Sequence, residues 1–396
     1  MLLLAVNSGS STLKFRLYEM PSEKVITKGS FERIGGEDSD YTIRINGEKV
    51  YQKASIKNHQ EAVNTLLKLL VEKGIVKTLD DIEAIGHRVV HGGVLYSHSV
   101  LITPRVIEEI DKIKDLAPLH NPAALVGIKA FMEEIPSAKM VACFDTAFHQ
   151  TIKEKDFLYP VPYEWYVKYD VRKYGFHGLS HQYITSRMHD ILDYDGNLII
   201  CHIGNGASIS AVSAGKCVDT SMGFTPNAGI MMGTRSGDID YSIIGYIMKK
   251  TGLNYEEIDN ILNKKSGLQG IAGMSDLRDI DRAFEAKENK VILAIDMYTE
   301  RIAEYIAKYF IKLGKVDAII FTAGCGENDS IIRKEVLTKL KPLGVEVDEK
   351  LNEETIVRKD KEGLITTNNS LIPSYVLATD EELVIAKDTY NLTKNS

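Results

Sequence analysis

The amino-acid sequence predicts an α/β protein with two domains that repeat one pattern. Its 396 residues exceed the usual length of one domain, and 44% of them are hydrophobic, which suffices for two packed cores. Short apolar runs alternate with longer segments of helical periodicity, as in sheets that are covered by helices. A strand–loop–strand pattern at the amino terminus returns after Asn197. We therefore place a domain boundary near residue 150.

The first predicted domain begins with sheet and continues as α/β. Asp145 follows its last buried strand, at the carboxyl edge where open α/β sheets bind ligands. Helical spacing marks Gln60–Lys73 and Pro122–Glu134. Strands are predicted at Leu2–Val6, Lys14–Tyr18, Tyr41–Ile45 and Lys139–Phe144, and Asp81–Ile85 leads into a further strand.

The second predicted domain repeats the alternation of strands and helices. The segment Thr151–Lys173 is aromatic and contains prolines, so we expect it to cross between the domains. A helix is predicted at Ser330–Leu340. Strands are predicted at Leu198–Cys201, Ser208–Ser213 and Ala318–Phe321.

Composition and charge exclude several classes of protein. A net charge of −7 is untypical of a general nucleic-acid binder, whose surface is broadly basic. The four cysteines form no C-x-x-C pair, which indicates reduced thiols rather than a zinc site. No apolar run approaches the ~20 residues that span a bilayer, and Met1–Val6 lacks the basic start of a secretory signal. We expect a soluble cytoplasmic protein without membrane or nucleic-acid partners.

Three loops of small residues follow predicted strands: Asn7–Thr12, His202–Ser208 and Thr322–Asn328. Glycine and serine let backbone N–H groups and hydroxyls approach an anion closely. Any one of these loops could be an ordinary hairpin turn, but three of them favour nucleotide phosphates as the ligand. The P-loop pattern is absent, and so is G-x-G-x-x-G after the first strand. Neither a Walker-type NTPase nor a Rossmann dehydrogenase is therefore supported.

Two arginines stand in glycine-rich segments that we predict to be anion-binding loops. Arg88 lies in Gly86–Gly93, and Arg235 follows Gly233 and Thr234. A guanidinium pairs bidentately with phosphate or carboxylate and stays charged at neutral pH. Either arginine could instead pair with a protein carboxylate, such as Asp238 beside Arg235. Because no acid lies within a few residues of Arg88, we favour a ligand as its partner.

Seven of the ten histidines lie between residues 87 and 181, but their spacing does not indicate a metal site. His177 and His181 are four residues apart without the glutamate of H-E-x-x-H, and Gly178 weakens a helix at that point. We expect His177 to form a hydrogen bond beside a phosphate. His120 precedes a predicted helix, where it could be a phosphate contact or a structural residue.

Together these segments resemble the acetate kinase family over essentially the whole chain. The matching stretches are Asn7–Lys14, Gly86–Gly93, Leu116–Pro122, Phe144–His149, Tyr174–His181, His202–Ser208, Asp219–Pro226, Met231–Asp240, Ser275–Ile280, Phe321–Asn328 and Glu381–Ala386. The resemblance implies two duplicated actin-like ATPase domains, ribonuclease H-like in topology, around a nucleotide cleft. Residues 1–150 would be the acyl-substrate domain, with a helix at about 383–396 packed back on it, and 151–382 the nucleotide domain.

The resemblance further implies a reaction, its cofactor and an assembly. The reaction is reversible in-line transfer of the γ-phosphoryl of ATP to acetate, giving acetyl phosphate and ADP. It depends on Mg²⁺, for which Mn²⁺ is an alternative. A homodimer and a place in acetyl-CoA biosynthesis are also implied.

The resemblance assigns roles that suit phosphoryl transfer, which needs in-line positioning and positive charge around three oxygens. Arg88 would bind the carboxylate or acetyl phosphate, and Arg235 and His177 would stabilise the transferring phosphoryl. Asn7 and Glu381 would hold Mg²⁺. Nucleotide or phosphate contacts are implied for Ser10, Thr12, Lys14, His202, Ile203, Gly204, Asn205, Gly206, Asp276, Leu277, Arg278, Gly324, Cys325, Gly326, Glu327 and Asn328.

The family's usual role for Asp145 is proton donor or acceptor, but a carboxylate substrate hardly needs a base. Acetate ionises near pH ~4 and is already a nucleophile at neutral pH. We therefore expect Asp145 to position Arg88 or the metal. By resemblance, the acyl pocket is lined by Val90, Leu119, Phe176 and Pro226. Val90 would favour acetate over propionate, unless it is simply a core residue of a strand.

The chain departs from the family's commonest pattern without losing a catalytic group. The departures are Asn227-Ala228 for Leu-Glu, Cys325 for isoleucine, Thr12 for serine and Asp380 for asparagine. Two alternatives remain open. A propionate or butyrate kinase would keep the chemistry with a larger pocket. A non-catalytic actin-like module would bind ATP, but it would have no reason to retain both arginines with Asp145 and His177.

Overall fold

The structure is a computed structural model that describes residues 1–45, 47–118 and 120–395. Numbered in chain order, the strands β1 to β14 are Leu2–Ser8, Leu13–Glu19, Lys24–Glu32, Asp40–Ile45, Glu48–Lys53, Ile82–Val89, Val100–Leu101, Lys139–Phe144, Leu198–Ile203, Ala207–Ser213, Lys216–Thr220, Ala318–Thr322, Gly363–Leu364 and Ser374–Val376. The helices α1 to α15 are His59–Glu72, Pro104–Lys112, Asn121–Glu134, Glu154–Phe157, Tyr163–Tyr169, Gly178–Leu192, Ser242–Thr251, Tyr255–Lys264, Gly267–Ala272, Leu277–Glu285, Asn289–Leu313, Ala323–Asn328, Ser330–Lys339, Glu349–Glu354 and Glu381–Thr393. Short 3₁₀ turns lie at Leu79–Asp81, Lys114–Leu116, Ala147–Thr151, Lys341–Leu343 and Val357–Lys359.

The chain forms two compact units. Unit 1 comprises Met1–Phe148 together with Asp380–Ser396, so α15 belongs to it, and unit 2 comprises His149–Thr379. The longest helix, α11, has 25 residues and carries charged side chains along its length. Among the described residues, no helix is both long and apolar enough to cross a membrane.

Unit 1 is built on a sheet with the strand order β5-β4-β3-β2-β1-β6-β8-β7. In its centre, β1 runs antiparallel to β2 and parallel to β6, and β6 runs parallel to β8. Ile85 of β6 is part of the apolar core that also contains Leu66 of α1 and Phe131 of α3. The next residue, Gly86, faces the opposite side of the sheet and contacts Thr389 of α15. Helices therefore cover both faces of this part of the sheet.

Unit 2 repeats the topology of unit 1. Its sheet has the order β11-β10-β9-β12-β14-β13, with β9 antiparallel to β10 and parallel to β12. The five strands β11, β10, β9, β12 and β14 correspond in order and direction to β3, β2, β1, β6 and β8. This repetition confirms the predicted fold class, a duplicated α/β architecture of ribonuclease H-like topology.

Three local predictions are wrong. Arg88 is not in a loop, because β6 continues through Val89. The third small-residue segment is not a loop either, because Ala323–Asn328 forms helix α12. The side chain of Glu327 accepts a hydrogen bond from the Ala323 N–H and thereby closes its first turn. Gly178 does not prevent a helix: it begins α6, which runs for 15 residues. A glycine at the first helical position does not interrupt the interior of the helix.

Candidate active site

The predicted residues of unit 1 gather at the carboxyl edge of its sheet. Asn7 lies near the end of β1, Arg88 near the end of β6, and Asp145 directly after β8. Glu381 is the first residue of α15. Because β1, β6 and β8 are parallel, their carboxyl ends meet at one edge, where ligands bind in α/β sheets.

Arg88 and Asp145 form a two-pronged ion pair. Nε and Nη2 of Arg88 donate to the two carboxylate oxygens of Asp145 at 2.9 and 2.5 Å. Nη1 of Arg88 donates to Oδ1 of Asn7 at 3.3 Å. The Asp145 side chain is only 2% exposed, whereas that of Arg88 is 20% exposed. Asp145 is thus placed to hold the guanidinium, and Arg88 retains access to solvent.

The electrostatics of this pair keep Arg88 charged. Burial alone would lower the pKa of the Arg88 guanidinium, but Asp145 and then Glu381 outweigh it and raise that pKa. Burial raises the pKa of Glu381 to about 7, with Asp145 and Glu382 adding to the rise while Arg88 and Lys14 oppose it. The carboxylates therefore lie close enough to interact with one another as well as with the cation.

The structure gives a reason for aspartate, rather than the asparagine common in the family, at position 380. Asp380 caps α15, because its Oδ1 accepts a hydrogen bond from the Leu383 N–H at 3.0 Å. Its other carboxylate oxygen pairs with Nη1 of Arg16 at 2.6 Å. An asparagine could cap the helix but would not carry the charge of this ion pair.

The first small-residue loop is a tight turn between β1 and β2. The Gly9 N–H donates to the Thr12 carbonyl at 2.8 Å. A Cβ at Gly9 would lie only 2.7 Å from Oγ1 of Thr12, so the threonine hydroxyl requires glycine there. Ser10 and Lys14 are exposed, and Thr12 is half-buried. The loop therefore leaves polar side chains accessible beside Asn7.

Two of the residues predicted to line the acyl pocket, Val90 and Leu119, belong to unit 1. Val90 directly follows β6 and is half-buried. Leu119 lies outside the described residues. His120 is the N-cap residue of α3, as expected of a residue at the start of a helix, and its role as a phosphate contact stays a prediction.

Unit 2 brings four histidines together. His177 adopts a left-handed conformation (φ 58°) immediately before α6, and its ring stacks on that of His202 with centroids 4.0 Å apart. The rings of His149 and His181 meet edge to face at 5.6 Å. Nε2 of His149 is 2.9 Å from the carbonyl of the buried Phe176.

Two hydroxyls that the sequence analysis assigned no role form hydrogen bonds with this histidine cluster. Oγ of Ser208 lies 2.9 Å from Nδ1 of His177 and 2.8 Å from Nε2 of His181. Oγ of Ser180 lies 2.7 Å from Nδ1 of His202. Ser180 also accepts a hydrogen bond from the Thr379 hydroxyl at 2.8 Å. The only sequence signal was that Ser208 begins a predicted strand directly after a small-residue loop.

Arg235 and His177 converge on the second small-residue loop. A Cβ built on Gly206 would lie 3.3 Å from Nη1 of Arg235 and 3.7 Å from Nε2 of His177. A backbone hydrogen bond holds this loop in place: the Gly233 N–H donates to the Asn205 carbonyl at 3.1 Å. His202 and Ile203 are buried at the end of β9, whereas Gly204 and Asn205 are accessible.

Arg235 is not neutralised by Asp238. Its Nη1 donates to the Pro226 carbonyl at 3.1 Å, and Asp238 accepts hydrogen bonds from Gly229 and Tyr305 instead. In the part of the chain that the structure describes, Arg235 has no carboxylate partner. Burial lowers the pKa of its guanidinium. A half-buried cation without a counter-ion favours the binding of an anion.

The predicted nucleoside segments differ in accessibility. Asp276 caps α10 and pairs with Arg278, at 2.6 Å between Oδ2 and Nη2, in an exposed position beside Leu277. Arg278 holds the pKa of the Asp276 carboxyl at about 2. In α12, Gly324 is exposed, and Glu327 and Asn328 are half-buried, but Cys325 and Gly326 are buried. Cys325 and Gly326 can therefore shape this segment, but their side-chain positions do not face solvent.

The donors at Asn7 and Glu381 suit Mg²⁺. Within the described residues, no group of three or more His, Cys, Asp and Glu side chains is arranged to hold a metal. Mg²⁺, however, is usually bound by one or two protein oxygens together with water and substrate phosphates. An amide oxygen and a carboxylate, close to further acidic groups, fit that donor set.

The site contains accessible arginines, a histidine and small-residue loops. These groups suit a phosphotransferase, which positions its substrates and stabilises the negative charge of the transferring phosphoryl group. Comparison with known proteins agrees. Residues 2–387 match the model of the acetokinase family. The chain is 53% identical over 394 residues to an acetate kinase of Bacillus cytotoxicus and 52% identical to one of Geobacillus sp. (strain WCH70), with 98% of each chain covered. It belongs to the acetokinase family and is a kinase.

Solved structures show the same fold. A propionate kinase from Francisella tularensis superimposes with a TM-score of 0.94 and 41% identity, and an acetate kinase from Porphyromonas gingivalis with 0.92 and 41%. Both comparisons cover 99% of each chain. The resemblance found in the sequence is thus confirmed at the level of family and fold.

Proposed function

We propose that this protein catalyses reversible transfer of the γ-phosphoryl of ATP to acetate, giving acetyl phosphate and ADP. The observation that carries the proposal is the Arg88 guanidinium, held in place by Asp145 and still accessible. The relatives named acetate kinase support acetate as the acceptor.

Arg88 binds the acceptor through the N–H groups that its protein contacts leave free. A guanidinium has five N–H donors, and three of them are directed to Asp145 and Asn7. One N–H remains on each terminal nitrogen, which suits a carboxylate or acetyl phosphate. Both oxygens of Asp145 accept from Arg88, and acetate arrives ionised. Asp145 therefore acts as a positioning residue rather than a base.

His177 and Arg235 stabilise the transferring phosphoryl in this proposal. Its three equatorial oxygens carry the developing charge, so donors that are fixed in advance lower the barrier. The convergence of both side chains on Gly206, together with the accessible Asn205, supports this assignment. We also assign phosphate contacts to Lys14, Ser10 and Thr12.

Asn7 and Glu381 would hold Mg²⁺, or Mn²⁺ in its place. When bound, the metal neutralises phosphate charge and orients the nucleotide. Arg88 donates a hydrogen bond to Oδ1 of Asn7, so this amide oxygen is already oriented without a metal.

The closest alternative is a propionate kinase, because one solved structure with 41% identity carries that name. Val90, Phe176 and Pro226 are the described residues that we expect to set acyl size. The hydroxamate assay with acetate, propionate and butyrate separates the two activities. We expect the highest kcat/KM with acetate, and absence of turnover with all three acids would reject a kinase of this class.

A matched pair of variants ties the activity to the proposed site. Arg88→Gln should abolish most turnover. Arg105→Gln also removes an ion-paired arginine from unit 1, but Arg105 is 85% exposed and pairs with Glu109 on the surface of α2. It should retain activity, which controls for the loss of one positive charge.

We also propose a cytoplasmic homodimer that acts in acetyl-CoA biosynthesis. Four buried free cysteines fit a reducing compartment, and ATP is a cytoplasmic substrate. In α7 and just before it, Tyr241 is 83%, Ile243 46% and Tyr246 60% exposed, and an apolar face of this kind suits a second copy of the chain. Light scattering after size exclusion should give twice the mass of 44.2 kDa. A monomer at micromolar concentration would contradict the dimer.

A further inference from the structure

The hydroxyl of Ser208 has an unusual position between two imidazole rings. It lies 2.9 Å from Nδ1 of His177 and 2.8 Å from Nε2 of His181. The Ser208 side chain is fully buried in β10. In the described part of the chain these two nitrogens are the hydrogen-bond partners of the hydroxyl. Because a serine hydroxyl has a single hydrogen, it can donate to one ring only.

The surroundings of His177 favour its neutral form. The residue stands at the amino terminus of α6, where the helix dipole opposes a positive charge. Its ring stacks on His202, and its Nε2 lies on the same side of Gly206 as the Arg235 guanidinium. The charge of this guanidinium would disfavour an imidazolium at His177. A neutral imidazole has one N–H, on either Nδ1 or Nε2, and the hydrogen bond at the other nitrogen decides which.

His181 is also neutral, for a different reason. Burial lowers its pKa well below the ordinary value, and the neighbouring His149 and His202 lower it further. Its Nδ1 is buried and has no hydrogen-bond partner among the described residues. The single N–H of His181 therefore either points at Ser208 from Nε2 or is left unpaired on Nδ1.

The Ser208 hydroxyl could donate to His181 or to His177, and counting the donors and acceptors left without partners distinguishes the two arrangements. If Ser208 donated to His181, the His181 proton would sit on Nδ1 as a buried N–H without an acceptor, a rare and costly state. In the opposite order, His181 donates from Nε2 to Ser208, and Ser208 donates to Nδ1 of His177. Only an acceptor lone pair is then left unpaired, which is tolerated more often than an orphaned donor.

We propose that Ser208 is a positioning residue that sets the tautomer of His177. Its hydroxyl donates to Nδ1 of His177 and places the single N–H of that ring on Nε2, with His181 as the anchor that orients the hydroxyl. The relay thus runs in one direction, from His181 through Ser208 to His177, and ends on the nitrogen beside Gly206 and Arg235.

The consequence is a neutral histidine that donates a hydrogen bond without having to lose or gain a proton. This reading rests on the proposed function, in which the transferring phosphoryl lies beside His177 and Arg235. An Nε2–H donor would strengthen its bond as charge grows on a phosphoryl oxygen. If the proton were on Nδ1 instead, Nε2 would present a lone pair to the phosphoryl oxygen and repel it.

Nuclear magnetic resonance of the whole protein tests the tautomer directly. Two-bond ¹H–¹⁵N correlation of ¹⁵N-histidine-labelled protein near pH 7.5 reports which ring nitrogen carries hydrogen, and His177→Gln identifies the His177 signals by their absence. We expect His177 as the neutral Nε2–H form. A predominant Nδ1–H form, or an imidazolium, overturns the proposal, and this wild-type spectrum needs no Ser208 variant to fold.

Kinetics of three variants test the consequence. Ser208→Ala should lower kcat by about tenfold or more, with smaller effects on KM, because the ring loses the hydrogen bond that fixes its tautomer. Ser208→Thr retains the hydroxyl and should recover part of that loss. Ser210→Ala is the matched control, since Ser210 is a buried serine on the same face of β10 whose Oγ bonds to Thr220, 2.9 Å away. Its kcat should stay within about twofold of wild type.

The outcomes separate this inference from the proposed function. If the wild type turns over acetate but Ser208→Ala keeps full kcat, the relay is wrong and the kinase stands. If no acyl substrate is turned over, the kinase proposal fails, while the tautomer of His177 remains measurable on its own. Equal losses of kcat in Ser208→Ala and Ser210→Ala would reduce Ser208 to a structural residue and overturn the inference.

Discussion

At the scale of single residues, the ion pair between Arg88 and Asp145 makes a clear prediction. Asp145→Asn removes the charge and one of the two acceptor oxygens, so the guanidinium is no longer held for the acceptor carboxylate. We expect kcat/KM for acetate to fall roughly 100-fold or more, as for other misplaced binding groups. The loss should persist at every pH, because acetate is ionised throughout the neutral range.

The pH profile of Asp145→Asn is the decisive measurement. If Asp145 were a general base, hydroxide or a deprotonated buffer could replace it in part, and the rate would recover as the pH rises. Such a recovery would contradict the positioning role. Circular dichroism of the variant controls for misfolding, since Arg88 is left without its principal counter-ion.

Val90 carries the prediction on acyl size. Val90→Ala removes two methyl groups beside the end of β6, where we place the acyl pocket. The ratio of kcat/KM for propionate to that for acetate should rise about tenfold, because one methylene in such a pocket is worth about 1–3 kcal/mol. Hydroxamate assays with each acid separately measure the two kcat/KM values and hence this ratio. An unchanged ratio would mean that Val90 is only a core residue.

Sequence reasoning identified both Arg88 and Asp145 but could not pair them with certainty. The two residues are 57 positions apart, and they meet because β6 and β8 pair in parallel with one particular register. Ser208 was harder still. A serine in a strand gives no local signal, and its role depends on His177, which immediately precedes α6, and on His181 within α6.

At the scale of elements, the packing of β6 on α15 sets a prediction for stability. A Cβ on Gly86 would lie 2.2 Å from Oγ1 of Thr389 and 2.5 Å from Cγ2 of Ile385. Gly86→Ala must therefore push α15 away from the sheet, at a cost of about 1–3 kcal/mol. We expect the thermal midpoint to fall by roughly 2–10 °C. Turnover should fall as well, because α15 begins with Glu381.

Gly245→Ala is the control for this prediction. Gly245 lies in α7, beside the face that we propose for the dimer, and in the single chain nothing lies within 4 Å of the added Cβ, so alanine should leave the stability of the monomer unchanged or raise it by up to ~1 kcal/mol. Scanning calorimetry of both variants compares the two glycines under identical conditions. Equal midpoints would show that α15 can move without loss, and the close packing on β6 would then not be a determinant of stability.

Elements with strong periodicity were predictable, and those shaped by tertiary contacts were not. The apolar runs of β1, β8 and β9 locate these strands within two residues. By contrast, β5 is exposed along nearly its whole length at the edge of the sheet and shows no apolar alternation. The helix α12 consists largely of small residues, and it is closed by side chains, Glu327 and Asn328, that bond to its own backbone.

At the scale of the whole molecule, duplication explains why functional residues occur at equivalent places. In both units the central strand is followed by a small-residue turn into an antiparallel neighbour: β1 leads to Asn7 and Gly9, and β9 leads to Gly204 and Asn205. The same topology therefore presents two sets of polar groups. The composition of each set differs, with carboxylates in unit 1 and histidines in unit 2.

Acid stability provides the final prediction, because unit 1 holds a buried histidine in its core. Burial lowers the pKa of His87 to about 3, and its ring packs edge-on against Phe131, with centroids 5.5 Å apart. Below pH ~6.5 the His87 side chain takes up a proton in the unfolded chain, but not in the folded unit, where the ring is buried. Protonation therefore favours the unfolded state, and the free energy of unfolding decreases progressively as the pH falls from about 6.5. The expected loss is about 1.4 kcal/mol per pH unit, or about 2 kcal/mol at pH 5.

His87→Phe isolates this contribution. The aromatic ring still packs against Phe131, but it cannot take up a proton in the unfolded state. Urea denaturation at pH 7 and pH 5 should therefore show a smaller acid-induced loss in the variant than in the wild type, by about 2 kcal/mol. Glu381, whose pKa is raised to about 7, acts in the opposite direction in both proteins and cancels in the comparison. Identical losses in the two proteins would mean that His87 is protonated within the folded unit, and that its burial does not exclude the charge.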